Sequence, residues 1–283
     1  MSIYPMIEQA LNERIVDISP LSGGCIGQVY HVKMENGRSV VAKFGNSPDS
    51  HLETEGYMLR YLGEHSSLPV PEVLHAVGGL LIMSFLPGES QFSAKAQAHA
   101  AELLAELHSI SSETFGLEQD TLIGGLHQPN PQMTSWLDFF REARLLHMGQ
   151  EGVRTNRLPQ EVFKRLATFV DYLDKWLLEP ERPSLIHGDV WTTNVLAQGG
   201  QITGFVDPAI YYAHPEIELA FTTLFGTFSR PFFDRYHELR PIPPGFFEER
   251  RDIYNLYPLL VHVRLFGGSY VSSVDQILRQ FGY

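Results

Sequence analysis

Polar and apolar residues alternate in short runs through the first part of the chain, and the period changes near Pro87. Ile15–Leu21, Gln28–Met34, Arg38–Phe44, Val73–Ala76 and Leu80–Phe85 have the two-residue period of strands with one buried face. Asn36-Gly37 predicts a tight hairpin between the second and third runs, and Gly78-Gly79 a turn between the last two. Two helices accompany these strands, residues 5–14 and His51–Gly63, the second with Leu52, Leu59 and Leu62 apolar. Beyond Pro87 the long elements read as helices: Ser93–Ser109, Ser135–His147, Pro159–Leu178, then 215–225, 230–238 and 246–266. A strand-rich part followed by a helix-rich part predicts the α+β class in two lobes. Residues 1–87 would form a small antiparallel β-sheet lobe that binds nucleotide. Residues 88–283 would form a larger, mainly helical lobe. The crossover Met83-Ser84-Phe85-Leu86-Pro87 is the natural hinge.

One stretch of the helical part breaks its pattern. In Ser184–Pro208, SLIHGDVWTTNVLAQGGQITGFVDP, the apolar runs Asn194–Ala197 and Ile202–Val206 flank Gly199-Gly200 and predict a β-hairpin. The start of its first strand lies beside the end of its second. Asn194 and Asp207 are therefore expected to meet, with Asp189 in the loop leading in. Two carboxylates and an amide oxygen are hard oxygen donors, suited to Mg²⁺ with bound phosphate. The order is that of a phosphotransferase: an Asp facing the acceptor hydroxyl, an Asn a few residues on, and a later Asp holding metal. His187 reads as a residue that bonds the loop backbone. His214, Glu216 and Glu218 read as caps and first-turn acids of the following helix, and His108 as packing or capping.

The first lobe supplies candidates for the nucleotide. Ser22-Gly23-Gly24-Cys25-Ile26-Gly27 joins two strands, and Gly23, Gly24 and Gly27 would let backbone N–H groups approach phosphates. It is not a Walker loop, because no Lys-Ser/Thr or helix follows. Its place before Val41-Ala42-Lys43 raises it above an ordinary turn. Lys43, at a strand end, is the candidate for the α- and β-phosphates and needs a carboxylate to hold it. Glu53 and Glu55 are both candidates. Glu55 shares a helix face with Leu59 and Leu62, points inward and is preferred. Adenine is expected at the hinge, on backbone groups of Ser84 to Leu86.

Composition narrows the setting. The 283 residues carry 43% hydrophobic and 19% charged side chains, enough apolar surface for a full core. No apolar run is long enough to span a bilayer, and residues 1–20 lack a basic region followed by an apolar one, so a cytoplasmic location is expected. The net charge of −12 argues against nucleic acid or an anionic membrane as partner. The single cysteine excludes an internal disulfide framework.

The order of glycine-rich hairpin, Lys, helical Glu, hinge, HGD, Asn and Asp resembles the protein-kinase-like fold in its small-molecule branch. HGD for HRD and DP for DFG are similar to the aminoglycoside and choline phosphotransferases. HGDVWTTNV, FVDPAIYYAHPEIELAFTTLFG, FFDRYHELRPIPPGF and YNLYPLLVHVRLFGG together resemble the fructosamine kinase (ketosamine-3-kinase) family, its bacterial members most. That resemblance implies ATP- and Mg²⁺-dependent phosphorylation of O3 of the ketose on a ketosamine, a sugar–amine adduct that then falls apart. The acceptor would be a small ketosamine or a glycated protein. It implies Asp189 as proton acceptor, Asn194 and Asp207 as metal ligands, and Lys43 with Glu55 as the phosphate clamp. Met83, Ser84, Phe85, Leu86 and Pro87 would line the adenine hinge, and Trp191 would be the wall for the sugar. Two positions depart from the family: Ser84 stands where an acid is frequent, and Thr193 where W-S-G-N has glycine. Cys25 is a redox candidate, since some fructosamine kinases have a cysteine in this loop; the other reading is a small turn residue. A monomer is expected, or under oxidation a dimer joined through Cys25. The alternative function is a small-molecule kinase of the aminoglycoside or choline type.

Overall fold

The computed structural model describes residues 3–21, 28–45 and 51–283. Helix α1 (Ile3–Leu11) precedes a five-stranded antiparallel sheet of β1 (Ile15–Pro20), β2 (Gln28–Met34), β3 (Ser39–Phe44), β4 (Val73–Val77) and β5 (Leu80–Ser84) in the order β1-β2-β3-β5-β4. Helix α2 (Leu52–His65) lies between β3 and β4 in the chain. The period of two sorts the side chains. Val32, Val40, Ala42 and Ile82 bury on one face with Ile7 of α1. Lys43 pairs in register with Leu81, and Val41 with Met83, on the other face. Helix α2 covers that face so closely that a side chain at Gly56 would meet Ala76.

The remaining elements form the larger lobe. They are α3 (Ala94–Leu107), β6 (Thr121–Ile123), β7 (Leu126–Gln128), α4 (Trp136–Phe139), α5 (His147–Arg154), α6 (Gln160–Val170), β8 (Ser184–Ile186), β9 (Val195–Gln198), β10 (Gln201–Phe205), β11 (Tyr211–Ala213), α7 (Glu216–Leu224), α8 (Arg230–Leu239), α9 (Arg251–Phe266) and α10 (Ser269–Gln280). The two lobes of unequal size and composition follow the sequence expectation. Two elements of the larger lobe differ from it in outline. The helix expected over 135–147 runs on to Arg154 through a π-helical segment, Phe140–Leu146. The helix expected over 159–178 ends at Val170, and a 3₁₀ turn at Leu173–Lys175 follows. There Trp176 folds back to stack on Phe169, with ring centroids 5.3 Å apart. The short pairs β6–β7 and β8–β11 and the final helix α10 were not expected.

The β9–β10 hairpin is where the sequence placed it. Its strands pair from Gln198↔Gln201 to Val195↔Phe205, and both turn glycines have positive φ, as a two-residue hairpin turn requires. The chain leaving the hinge is pinned to this hairpin. Glu89 and Ala197 exchange backbone hydrogen bonds of 2.9 Å, and Ser90 Oγ donates to the Val195 carbonyl at 3.0 Å. The Phe205 N–H also reaches back to the Pro69 carbonyl at 2.8 Å. These ties set the hairpin beneath the sheet. A core of aromatic and aliphatic side chains from α3 to α10 supports it, with Trp136 at its centre among Phe139, Phe140 and Tyr254.

Candidate active site

Lys43 crosses from β3 toward the larger lobe. Its Nζ lies 2.6 Å from Glu55 Oε1 on α2 and is hydrogen-bonded to Asp207 Oδ1, just beyond β10. Burial opposes its charge, but the two carboxylates outweigh burial and raise its pKa. The choice of Glu55 over Glu53 agrees with this geometry. Glu53 instead accepts the Gly78 N–H at 3.0 Å. Asp207 is one of the few non-glycine residues with positive φ, +52°. The left-handed backbone turns its side chain out of the hairpin and toward Lys43, at a cost of about 1–3 kcal/mol that the surrounding packing must cover.

Asn194 and Asp207 do lie across the open end of the hairpin, where the Val206 N–H donates to the Asn194 carbonyl at 2.9 Å. The Asn194 side chain, however, turns to Asp189. Its Nδ2 donates to Asp189 Oδ2 at 2.8 Å and to the Asp189 carbonyl at 3.0 Å. Asn194 Oδ1 accepts only a long 3.4 Å contact from the Thr193 hydroxyl and remains an oxygen donor at the same end of the hairpin as Asp207. The Asp189 carboxyl is pushed up to about 8, by burial first and by the neighbouring Asp207 charge second, while the Asn194 amide pulls it down. Carboxyls crowded in this way are where a divalent cation is accommodated, and Asp207 with Asn194 Oδ1 is a hard, oxygen-only donor pair. Among the described residues no cluster of three or more His, Cys, Asp or Glu side chains could hold a metal unaided. The donors thus fit a cation whose remaining ligands are phosphate and water.

The loop carrying Asp189 is fixed from behind. His187 is fully buried, which lowers its pKa, and its Nδ1 accepts the Asp189 N–H at 3.3 Å. Gly188 has φ +84°, and a Cβ there would lie 2.1 Å from the Ala209 carbonyl oxygen. Glu218 on α7 is buried and accepts the Gly188 N–H at 2.6 Å and the His187 N–H at 3.3 Å. His108 Nε2 lies 2.9 Å from the same carboxylate, and His108 Nδ1 lies 2.7 Å from the Tyr236 hydroxyl. Burial works against the Glu218 charge, yet His108 and these N–H groups hold it below the usual carboxylate range. Glu218 does stand in the first turn of α7, as read from the sequence, and beyond that it is a loop holder. Its signal was present in the sequence. In Glu-Ile-Glu-Leu-Ala-Phe an acid is flanked by apolar residues on every side, and a buried acid must find partners. Glu216 pairs instead with Arg250, with two contacts of 2.7 Å.

The hinge offers less free backbone than the sequence suggests. The Ser84 N–H donates to the Glu72 carbonyl at 2.8 Å, and the Phe85 N–H to the Ser39 carbonyl at 3.3 Å. Leu86 is left as the non-proline hinge position whose N–H has no partner among the described residues. Met83 is buried, Phe85 is exposed against His31, and the Pro87 carbonyl accepts the Thr203 hydroxyl. Trp191 is half-buried, with its ring 5.5 Å from Phe225. Gly23, Gly24, Cys25 and Gly27 lie outside the described residues.

The profile of the fructosamine kinase family matches residues 1–282. The chain belongs to the fructosamine kinase family. A relative from Enterococcus faecium, assigned as a ketoamine kinase, is 33% identical over 276 residues, 96% of each chain. The chloroplastic protein-ribulosamine 3-kinase of Arabidopsis thaliana is 29% identical over 296 residues, 99% of this chain and 88% of its own. The crystal structure of a Thermobifida fusca protein assigned as a fructosamine-3-kinase superposes with a TM-score of 0.87 at 28% identity, covering 98% of this chain and 97% of that one. An aminoglycoside phosphotransferase solved with ADP and hygromycin B superposes with a TM-score of 0.72 at 19% identity over 100% of both chains, a likeness of fold alone. The fold is thus protein-kinase-like. As a fructosamine kinase family member the chain is an ATP-dependent phosphotransferase.

Proposed function

We propose that this protein transfers the γ-phosphoryl group of ATP to O3 of the ketose in a ketosamine, so that the phosphorylated adduct releases its amine. The observation that carries the reading is the pairing of Lys43 with Glu55 from one lobe and Asp207 from the other, beside an Asp189 held by Asn194. Residues 1–87 act as the nucleotide lobe and 88–283 as the catalytic and substrate lobe. Asp189 faces the sugar hydroxyl. Its carboxylate takes the O3 proton as that oxygen bonds to the γ-phosphorus and the bond to the β-phosphate oxygen breaks, releasing ADP. Lys43, steadied by Glu55, holds the α- and β-phosphates. Asp207 and Asn194 Oδ1 would hold Mg²⁺, which when bound supplies neutralisation of the charge on the phosphates. Adenine is received at the hinge by the Leu86 N–H and neighbouring carbonyls. Trp191 is the wall for the sugar.

The printed names of the relatives point to ketoamines and protein ribulosamines as acceptors. No helix among the described residues is long and apolar enough to cross a membrane. The cytoplasmic location, the monomer, and the Cys25 dimer and switch rest on the sequence alone. The test is ATP consumption with ribulosamine, erythrulosamine and fructosamine beside hygromycin B, using wild type and Asp189→Asn. Turnover of a ketosamine that falls by about 10²–10⁴ in the variant, with an unchanged melting curve, is expected. Turnover of the aminoglycoside alone would replace this reading with the aminoglycoside one.

A further inference from the structure

Trp191 does not stand alone. Its ring is 5.5 Å from Phe225, Phe225 is 5.0 Å from His262, and His262 is 5.8 Å from Phe266 and 4.9 Å from Tyr270. The series runs from the loop after Asp189, past the end of α7, to the junction of α9 and α10. Two features of the chain build it. Gly267 and Gly268 both take positive φ, +66° and +62°, and turn α10 back so that Tyr270 meets His262. The Thr192 and Thr227 hydroxyls, 3.3 Å apart, tie the Trp191 loop to the segment after Phe225. Phe225 and Phe266 keep 36% and 52% of their surface in water. The His262 ring is fixed by a 2.7 Å hydrogen bond from Nδ1 to the Pro258 carbonyl. Burial holds its pKa below the ordinary value, so it contributes an aromatic face and not a charge. The outcome is a neutral aromatic shelf, open to solvent and continuous with the wall proposed for the sugar.

A ketosamine has two halves, and the reaction accounts for only one. With the reacting hydroxyl at Asp189 and the sugar on Trp191, the nitrogen and its substituent lie beyond the sugar. We propose that the shelf of Phe225, His262, Phe266 and Tyr270 is the subsite for the amine half and takes an aromatic or apolar amine substituent. This rests on the ketosamine reading above. Three properties fit that occupant. The ammonium of the adduct is attracted by the aromatic faces nearest Trp191, while Arg157 packs against Gly267 at the far end of the series. Two half-exposed phenyl rings gain by covering an apolar group but give a small polar amine nothing to bond. The shelf also joins the reacting site directly, so one short molecule can span both. A glycated protein would instead approach through a flexible lysine stem and gain little from the far end of the shelf.

The experiment compares two ketosamines of the same ketose, one on 2-phenylethylamine and one on ethanolamine. Wild type is expected to favour the aromatic amine in kcat/KM by about fivefold, the range of one or two aromatic contacts. Phe225→Ala and Phe266→Ala should each shrink that ratio, and Phe266→Trp should keep it. A ratio within one protein preparation is insensitive to misfolding, which would lower both rates together. Equal kcat/KM in wild type, or a ratio unmoved in both alanine variants, overturns the subsite. If neither adduct is phosphorylated, the ketosamine reading itself fails. Calorimetric binding of the same pair then judges the shelf separately: tighter binding of the aromatic adduct that the alanine variants lose supports it, and equal affinity overturns it.

Discussion

Lys43 and Arg144 are both cations withdrawn from water, and the molecule holds them in opposite ways. Lys43 sits between two carboxylates that belong to different lobes. Arg144, in the π-helical segment between α4 and α5, has no carboxylate within ion-pair distance among the described residues. Its guanidinium donates to the Pro129 carbonyl and Asn130 Oδ1 at 2.7 Å and to the Ala143 carbonyl at 3.0 Å, and lies 3.8 Å over the Tyr211 ring. Those acceptors are themselves tied down. Asn130 Nδ2 and Gln128 Nε2 each donate to Thr121 Oγ1 at 2.8 Å, and the Tyr257 hydroxyl donates to Gln128 at 2.6 Å. Charges that balance one another can be exchanged for the charges of a substrate. Dipoles and ring faces fixed by the backbone cannot. The difference separates a place built to bind from a place built to stay still, although both residues are buried.

Substitution at each cation should therefore strike a different property. Lys43→Met has the larger expected effect, a loss of order 10²–10³ in kcat/KM for ATP, as for removing one preorganised charge from a phosphate site. Its melting temperature should hardly move, because Asp207 is partly open to water and burial already favours the neutral form of Glu55. Steady-state kinetics and a melting curve on one preparation check both halves. A variant that unfolds but keeps its turnover would invert the comparison.

Arg144→Met should do the reverse. It leaves the Pro129 carbonyl and Asn130 Oδ1 unpaired in the interior, at about 1–3 kcal/mol each. Urea denaturation should record that loss, while kcat per folded molecule stays near wild type. If stability holds and turnover falls, Arg144 belongs with the site and not with its foundation.

The smallest effect concerns His214, which lies on the same fixed side. Burial, and then the nearby Arg250, His108 and Arg240, push its pKa down to about 3. The unfolded chain takes up the proton near pH 6.5 and the folded one does not. Stability from this group is therefore complete above that pH and is lost as the pH falls from about 6.5 toward 3, by at most about 1.4 kcal/mol per pH unit. Urea midpoints between pH 7 and 5 should fall less steeply in His214→Gln. Parallel slopes would mean that another group carries the proton uptake.

What was legible in the sequence follows the same division. Lys43, Asp189 and Asp207 announce themselves because their neighbours are local: a strand end, a glycine turn, a hairpin whose open end brings two chain positions together. Glu55 could be told from Glu53 by helix period alone. The partners of Glu218 could not be seen, since His108 lies 110 residues away in the chain, and those of Arg144 could not because they are a carbonyl and an amide of an irregular link, with no acid to mark them. Strands of three residues such as β6, β7, β8 and β11 are too short to carry an alternation. The π-helical segment inserts residues without changing composition, so it hides within an amphipathic pattern. Helix α10 is a different matter, for Val271, Val274 and Leu278 have helical spacing and the glycine pair before them marks where α9 must stop.

Position 188 carries a consequence for ancestry. The carbonyl of Ala209 occupies the space that any other residue's Cβ would need, and the Ala209 N–H returns a 2.7 Å hydrogen bond to His187. A descendant could exchange Gly188 for another residue only if the segment bearing Ala209 moved aside in the same step, which would also release the His187 carbonyl. Neither change is tolerable first. Gly188 can therefore be exchanged only together with a shift of the segment that bears Ala209, and not by a single substitution while that segment stays in place.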